Sequence, residues 1–245
     1  MAQLIKVRQC VSRYQLDLTR YMNRFLRLKG RRQAQWRNAA MSGFDDWLYR
    51  MQLEWATKTA ERTSECPEEL QRDGDLQKLL RILSDRSLLL YRPVLLTGQA
   101  AVQLDSLLLT DDEIWCVHVL KGEAGSVFQE ISERKWQEIV NGGTRELLNP
   151  LIALKRTRAV VEAFCRKCGV AGLSVVAAVY APDGYIEFVP GERGIRFVDR
   201  RSKRDWFTQI NRHTFMVKKD QALIAEGLLR HCETVDKERF SDATF

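Results

Sequence analysis

Two neighbouring apolar segments carry charged side chains of the kind that act on phosphate esters. Asp105 lies within the apolar run of residues 104–109, and the apolar run of residues 114–121 ends on Lys121. A carboxylate or an ammonium group in an apolar strand is costly unless it is paired or used in a reaction. A carboxylate on one strand and a Glu-x-Lys sequence on the next can hold a divalent cation beside a scissile phosphate. The two segments therefore indicate metal-dependent phosphodiester chemistry.

The glutamate of that arrangement is missing. When Lys121 takes the lysine position, the residue two positions earlier is Val119, and side chains two apart face the same side of a strand. The alternative register places His118 in the glutamate position, but it then puts Leu120 in place of the lysine. Each register loses one of the groups that the chemistry needs.

The remaining carboxylates predict weak metal binding. Protein-bound Mg2+ is usually held by one or two carboxylates together with water, so Asp105 with a distant Asp75 should bind Mg2+ or Mn2+ weakly. Glu123, two residues after Lys121, is a candidate replacement ligand. The candidate catalytic residues are Asp105, Lys121, Asp75 and Glu123, and the candidate metal ligands are Asp105 and Asp75. In the non-catalytic alternative, Asp105 and Lys121 neutralise each other as a salt bridge in the core.

The order of predicted elements indicates an α/β fold. A short helix begins at Gly74, and Asn149-Pro150 begins a longer helix that ends at Cys168 before Gly169. Apolar runs predict strands at residues 88–96, 102–109, 114–121, 173–180 and 185–189. Polar turns at 110–113 and 182–184 separate two pairs of these strands. Helix, three strands, helix and strand predict an α/β sandwich around a mixed central sheet.

Residues 74–181 resemble the NERD domain, the nuclease-related domain of bacterial and some plant proteins. The matching features are the apolar-flanked Asp105, the strand ending at Lys121, Gly125 four residues later, and Asn149-Pro150-Leu151 before a long helix. The opening residues 1–6, Met-Ala-Gln-Leu-Ile-Lys, are similar to those of a Bacillus-type group of NERD proteins. The resemblance implies a PD-(D/E)xK-like (restriction-endonuclease-like) core, similar also to archaeal-type Holliday junction resolvases.

The chain departs from that family at two positions. Val119 stands where the family has its glutamate, and Ala153 stands where a glutamine is expected shortly after Asn149-Pro150. The acid that opens the first helix of the family is matched by Asp75 after Gly74. The resemblance therefore implies a degraded metal-dependent phosphodiesterase site.

Positive charge is concentrated in the first 62 residues. They contain 13 Lys and Arg against 5 Asp and Glu, a net charge of +8, while the whole chain carries +7. Apolar residues recur every three or four positions, which predicts one continuous amphipathic helix. Its stripe consists of Leu4, Val7, Val11, Tyr14, Leu18, Tyr21, Phe25 and Leu28. A second helix is predicted over 44–62.

The basic residues off this stripe have three interpretations: a solvated helix face, a surface for nucleic acid, or a surface for an anionic membrane. The candidate phosphate contacts in this helix are Arg20, Arg24, Arg27, Arg31 and Arg32. A second basic cluster near the aromatic residues Trp206 and Phe207 has the same alternatives, solvated loop or nucleic-acid contact. Its residues are Arg193, Arg196, Arg200, Arg201, Lys203 and Arg204.

We therefore predict a basic helical N-terminal appendage (1–66), a nuclease-related core (67–190), and a basic loop with helices packed on the core (191–245). The leading function is a DNA-associated NERD-type protein with weak or absent hydrolysis. The alternatives are an active nuclease using Asp75, Asp105, Glu123 and Lys121, and a scaffold that forms a homo-oligomer through its N-terminal helix. Six scattered cysteines and the lack of a transmembrane segment predict reduced thiols in a cytoplasmic protein.

Overall fold

The structure, a computed structural model, describes residues 1–39, 41–98, 100–140, 142–170, 172–187, 194–212 and 219–236. The helices in these ranges are α1 Leu18–Asn38, α2 Phe44–Trp55, α3 Glu68–Gln71, α4 Gly74–Ile82, α5 Pro150–Lys167, α6 Lys203–Asn211 and α7 Lys219–His231. The strands are β1 Gln3–Val7, β2 Leu88–Tyr91, β3 Val94–Thr97, β4 Ala100–Gln103, β5 Ser106–Leu109, β6 Glu113–Val119, β7 Val127–Ser132, β8 Lys135–Val140, β9 Gly143–Leu148, β10 Ser174–Tyr180, β11 Tyr185–Ile186 and β12 Ile195–Val198.

A six-stranded mixed sheet forms the centre of the fold, in the order β1-β2-β5-β6-β10-β12. Strand β5 is antiparallel to both of its neighbours, and every other neighbouring pair is parallel. Five strands therefore finish at the same end of the sheet, where the chain also enters β5. We call this the carboxyl end of the sheet.

Each face of the sheet carries its own apolar layer. On the first face, Leu107, Leu109 and Cys116 pack with side chains of α1, α5 and α7. On the second face, Leu108 and Trp115 pack with side chains of α4 and α6. This alternation follows from the two-residue period of a strand, and it confirms the predicted α/β class with a mixed sheet.

The predicted order of helix, three strands, helix and strand is observed as α4, β2, β5, β6, α5 and β10. The start and end of α5 are also confirmed. The Asn149 side chain accepts a hydrogen bond from the backbone N–H of Leu151, Pro150 occupies the first helical position, and Gly169 has φ of +67°. A glycine adopts this left-handed conformation without the steric cost of a Cβ.

Two of the predicted strands are each divided. The run 88–96 separates into β2 and β3 at Arg92, which has φ of +47°, and at Pro93. The run 102–109 changes sheet between β4 and β5, since β3 and β4 form a separate hairpin. The more polar stretch 127–148, for which no strand was predicted, forms the meander β7-β8-β9 with β11 beside β7. Beyond β11, residues 188 and 189 of the last predicted strand lie outside the described residues.

The prediction of a continuous helix from Leu4 to Leu28 is wrong for its first half. Residues 3–7 form β1, which pairs parallel with β2, and every residue of β1 is buried. A short 3-10 helix, Arg13–Gln15, precedes α1. Because β1 belongs to the central sheet, residues 1–66 supply part of the core rather than a separate helical appendage. Leu4 and Val7 are apolar and three residues apart, as in a helix. All five residues of β1 are buried, however, which suits a strand inside a sheet covered on both faces.

The second half of the stripe is a packing surface within the chain. Leu18, Met22 and Phe25 of α1 are buried in the first apolar layer, while α2 ends at Trp55 instead of continuing to residue 62. A second copy of the protein is therefore not needed to cover this face. Among the described residues, no helix has both the length and the apolar character that crossing a bilayer requires.

Leu18→Asp should lower the free energy of unfolding by about 3 kcal/mol or more, because a carboxylate would replace a buried leucine. Leu16→Asp is the matched control, since Leu16 is 63% exposed and Leu18 only 4%. Urea unfolding of both variants measures the effect. Equal stability of the two variants would show that α1 does not pack as described.

Lys6 of β1 is fully buried, yet its ammonium group is hydrogen-bonded. Its Nζ donates to Cys10 O at 2.6 Å, to Thr234 Oγ1 at 3.0 Å and to Gln15 Oε1 at 3.3 Å. Burial lowers the pKa of Lys6 from 10.5 to about 8. The lysine thus connects the first strand to the segment before α1 and to the far end of the chain.

A lowered pKa means that the folded state loses the Lys6 proton before the unfolded state does. Stability from this group should rise as pH increases from about 8 to about 10.5, by on the order of 2–3 kcal/mol. The measured quantity is the unfolding free energy of the native protein minus that of Lys6→Met. Cysteine and tyrosine titrations occur in both proteins and cancel in the difference. A difference that stays constant over this pH range would contradict the assignment.

Candidate functional site

Each oxygen of the Asp105 carboxylate contacts a side chain on the first face of the sheet. Its Oδ1 lies 2.8 Å from His118 Nδ1, and its Oδ2 accepts a hydrogen bond of 3.1 Å from Thr157 Oγ1. The backbone N–H of Asp105 donates back to the same threonine hydroxyl at 2.9 Å. Thr157 comes from α5, so the helix that begins at Asn149-Pro150 fixes the position of Asp105.

The β6 residue that faces Asp105 is His118. Ser106 of β5 is paired with Val117 of β6, which places the preceding Asp105 opposite His118. Val119 has the other orientation and packs against the second apolar layer. Leu120, two residues beyond His118, is buried in the first layer. The residue pattern facing Asp105 is therefore the alternative register considered from sequence, with His118 in place of the glutamate and Leu120 in place of the lysine.

Lys121 turns to the second face, where its partner is Asp73. Its Nζ donates to Asp73 Oδ2 at 2.6 Å, and the Tyr91 hydroxyl lies 3.5 Å from the same oxygen. Partial burial acts to lower the pKa of Lys121, but the hydrogen bond to Asp73 and the surrounding negative groups outweigh it and raise that pKa. The expected Asp105–Lys121 ion pair is therefore wrong, since each residue has a different partner.

Asp73 was missed from sequence, although its role is a familiar one. It is the N-cap of α4, and its Oδ1 accepts hydrogen bonds from the backbone N–H groups of Asp75 and Leu76. The sequence Asp-Gly-Asp before an apolar helix contains the signal for this cap. Asp75, the predicted acid, instead lies 3.8 Å from Lys78 and is not held at Lys121.

Glu123, the predicted replacement ligand, is exposed, and its backbone N–H donates to Glu138 Oε1 at 2.9 Å. Glu138 is the buried acid of this region, and it also pairs with Arg145. Gly122 makes that contact possible, since a Cβ at residue 122 would lie 2.2 Å from Glu138 Oε1. The backbone N–H of Glu123 therefore fixes its position. Its side chain has no described contact with Asp105.

The donor set does not fit the expected Mg2+ or Mn2+. Asp105 is occupied by His118 and Thr157, and Asp75 lies beside Lys78. No group of three or more His, Cys, Asp or Glu side chains in the described ranges is arranged to hold a metal ion. A hard cation needs several oxygen ligands around one point, and these carboxylates do not converge.

The Asp105–His118 pair and Lys121 border one cavity at the carboxyl end of the sheet. This cavity has a volume of about 280 Å³. Its walls are formed by Tyr91, Arg92, Asp105, Ser106, Val117, His118, Val119 and Lys121. The two strands predicted to carry the site are thus adjacent, but the predicted contact between their charged residues, Asp105 and Lys121, is wrong.

The predicted basic residues lie elsewhere on the surface. Arg20, Arg24, Arg27, Arg31 and Arg32 are all exposed on α1. Three of them lie over aromatic rings: Arg20 over Tyr21, Arg24 over Trp55 and Arg32 over Trp47. Cation–π contacts of this kind orient a guanidinium group while leaving its N–H donors available to an anion.

The second basic cluster is less suited to nucleic acid. Trp206 and Phe207 are buried in the second apolar layer and cannot stack on bases. Arg201 pairs with Asp199, and Lys203 donates to the backbone oxygen of Pro182 at 2.6 Å. Arg200 and Arg204 are exposed, Arg196 lies over the Trp115 ring, and residue 193 is outside the described part of the chain.

Comparisons of this chain with protein-family models, with curated proteins and with solved structures find no match. The resemblance to the NERD family therefore rests on the residues quoted above. What the fold adds is the positions of those residues and the contacts they make.

The face assignment predicts which substitution can create a metal site. His118→Glu would place a second carboxylate opposite Asp105 and remove the imidazole from Asp105 Oδ1. It should bind Mn2+ at least about tenfold more tightly than Val119→Glu, whose carboxylate would lie on the other face. Electron paramagnetic resonance titration of Mn2+ measures both. Tighter Mn2+ binding by Val119→Glu would contradict the face assignment and support the register in which Lys121 takes the lysine position.

Proposed function

We propose that this protein binds nucleic acid through the basic face of α1 and has a nuclease-related core with weak or absent metal-dependent hydrolysis. The observation that supports the binding is the charge of that helix. Between Leu18 and Asn38 there are six arginines, one lysine and no Asp or Glu. A surface of one sign along a helix attracts a polyanion and contacts its phosphates without selecting a base sequence.

The spacing of the arginines suits a phosphate backbone. Arg20, Arg24, Arg27 and Arg31 are separated by four, three and four residues, so they share one side of α1. At 1.5 Å per residue, they extend over about 16 Å of helix. Lys29, by contrast, is paired with Asp85 at 2.7 Å and belongs to the contact between α1 and the core.

The packing of α1 favours nucleic acid over a membrane. An amphipathic helix binds a bilayer by inserting its apolar face. Leu18, Met22 and Phe25 occupy that face and are buried in the protein core. Insertion would require α1 to leave the core, whereas phosphate contact uses only the side that is already exposed.

The two other functions have less support. An active nuclease using Asp75, Asp105, Glu123 and Lys121 would need these groups to converge on one metal, and their described contacts are separate. A scaffold acting through the apolar stripe of α1 would need that stripe exposed, but it is covered within the same chain.

Replacing five arginines of α1 by glutamine should weaken DNA binding by roughly ten- to a hundredfold at moderate salt, because fewer counterions are released. The slope of log affinity against log salt should become shallower by about one for each lost phosphate contact. Preference between DNA sequences should change little. Fluorescence anisotropy across a salt series measures all three. The variant carries Arg20→Gln, Arg24→Gln, Arg27→Gln, Arg31→Gln and Arg32→Gln.

A second variant controls for net charge. It loses the same number of positive charges, five, but from exposed positions outside α1. It carries Arg81→Gln, Arg134→Gln, Arg156→Gln, Arg166→Gln and Arg230→Gln. Circular dichroism confirms that both variants fold. Equal loss of affinity in the two variants would mean that net charge, and not α1, determines binding.

A further inference from the structure

The carboxyl end of the sheet collects positive residues from separate strands. Arg8 follows β1, Arg92 follows β2, Lys121 follows β6 and Arg200 follows β12, each within two residues of the strand end. Ligands of open α/β sheets bind in the crevice beyond the carboxyl ends of the strands. The cavity of about 280 Å³ lies at this end, and Arg92 and Lys121 are part of its wall.

Asp105 in the cavity wall and Asp73 beside Lys121 are each paired with groups of the protein. Asp105 accepts from Thr157 and contacts His118, while Asp73 accepts from two backbone N–H groups, Lys121 and Tyr91. The described contacts of both carboxylates are therefore to groups of the protein itself, although Asp105 also borders the cavity, with its side chain 12% exposed. The ammonium group of Lys121 keeps further N–H donors, because one contact to Asp73 uses only one of three. Its side chain is 54% exposed.

Arg92 is held at the cavity by an unusual backbone conformation. Its φ of +47° is left-handed, which costs an L-residue roughly 1–2 kcal/mol. Arg8, with φ of +41°, occupies the matching position after the neighbouring parallel strand, and its backbone N–H donates to Tyr91 O. Strained non-glycine residues cluster at binding sites. Arg92 is exposed and forms no ion pair with the described residues.

We propose that this cavity binds a phosphate ester of a nucleic-acid strand directly through Lys121 and Arg92, without a metal ion. The proposal rests on the nucleic-acid binding proposed above and adds a second contact to it. Because the acids are paired with other groups, the described residues offer no converging set of oxygen ligands. The two cations supply the charge that a bound metal would otherwise provide. Charge-assisted hydrogen bonds from an ammonium and a guanidinium are suited to phosphate oxygens.

The test uses the full chain and fluorescently labelled single-stranded oligonucleotides. Lys121→Gln and Arg92→Asn should each lower affinity for the oligonucleotide by about tenfold. EDTA in excess over trace metal should leave the affinity of the native protein unchanged. Asparagine is chosen because it tolerates the left-handed conformation. Lys135→Gln is the matched control, since Lys135 is 56% exposed and lies 2.6 Å from an acid, Glu146, just as Lys121 lies 2.6 Å from Asp73.

Strands with and without a 5′-phosphate identify the source of the phosphate. A larger loss on the phosphorylated strand assigns the cavity to a strand end, and an equal loss assigns it to an internal diester. Native affinity in both cavity variants, with melting temperatures that show them folded, would overturn the proposal. Loss of native binding in EDTA would overturn it as well, because a metal would then be required.

Inorganic phosphate separates this proposal from the function of α1. At constant ionic strength, phosphate in place of chloride should raise the melting temperature of the native protein and of the α1 variant, but not that of Lys121→Gln or Arg92→Asn. If this pattern appears but the protein binds no oligonucleotide, the cavity is an anion site, and the proposal that its phosphate comes from nucleic acid is overturned. If phosphate has no effect on the native protein and the cavity variants bind oligonucleotides normally, the site itself is overturned.

Discussion

The antiparallel placement of β5 between β2 and β6 determines where Asp105 lies relative to Arg92 and Lys121. Because β5 is antiparallel to β2 and β6, the residue that precedes β5 lies beside the residues that follow β2 and β6. Asp105 thereby reaches the same end of the sheet as Arg92 and Lys121, although 13 or more positions separate it from each of them in sequence. A parallel β5 would have placed this acid at the opposite end, away from both cations.

The contacts of Asp105 and Asp73 explain how their charge is tolerated beside buried strands. A carboxylate removed from water needs partners for several lone pairs, and a single ion pair rarely supplies them. Asp105 receives its contacts from a threonine and a histidine, and Asp73 receives them from a helix N-terminus, a lysine and a tyrosine. In the described fold, the contacts of both acids link neighbouring elements. The same contacts separate the core of this chain from a metal-binding arrangement without disturbing the fold.

Local patterns predicted much of the architecture and few of the contacts. The N-cap at Asn149, the end at Gly169 and the polar turn at 110–113 depend on neighbouring residues, so sequence was sufficient for them. The strand β1 was missed because Leu4 and Val7 fit a helical period as well as a fully buried strand, and its partner β2 lies more than 80 residues away. The partners of Asp105 and Lys121 depend on which sheet face each residue takes. A shift of one residue in register exchanges those faces, and the sequence alone leaves the register open.

The pairing of β1 has a consequence for synthesis of the chain. This strand leaves the ribosome before its partners, since its sheet partner begins at Leu88 and the hydroxyl that binds Lys6 belongs to Thr234. At about 5–20 residues per second, β1 waits several seconds for β2 and tens of seconds at the slower rate for residue 234. During that interval the apolar strand has no native strand partner, and the charge on Lys6 keeps it hydrated. The residue that is costly in the finished core is thus an advantage in the nascent chain, where it opposes premature pairing with other strands.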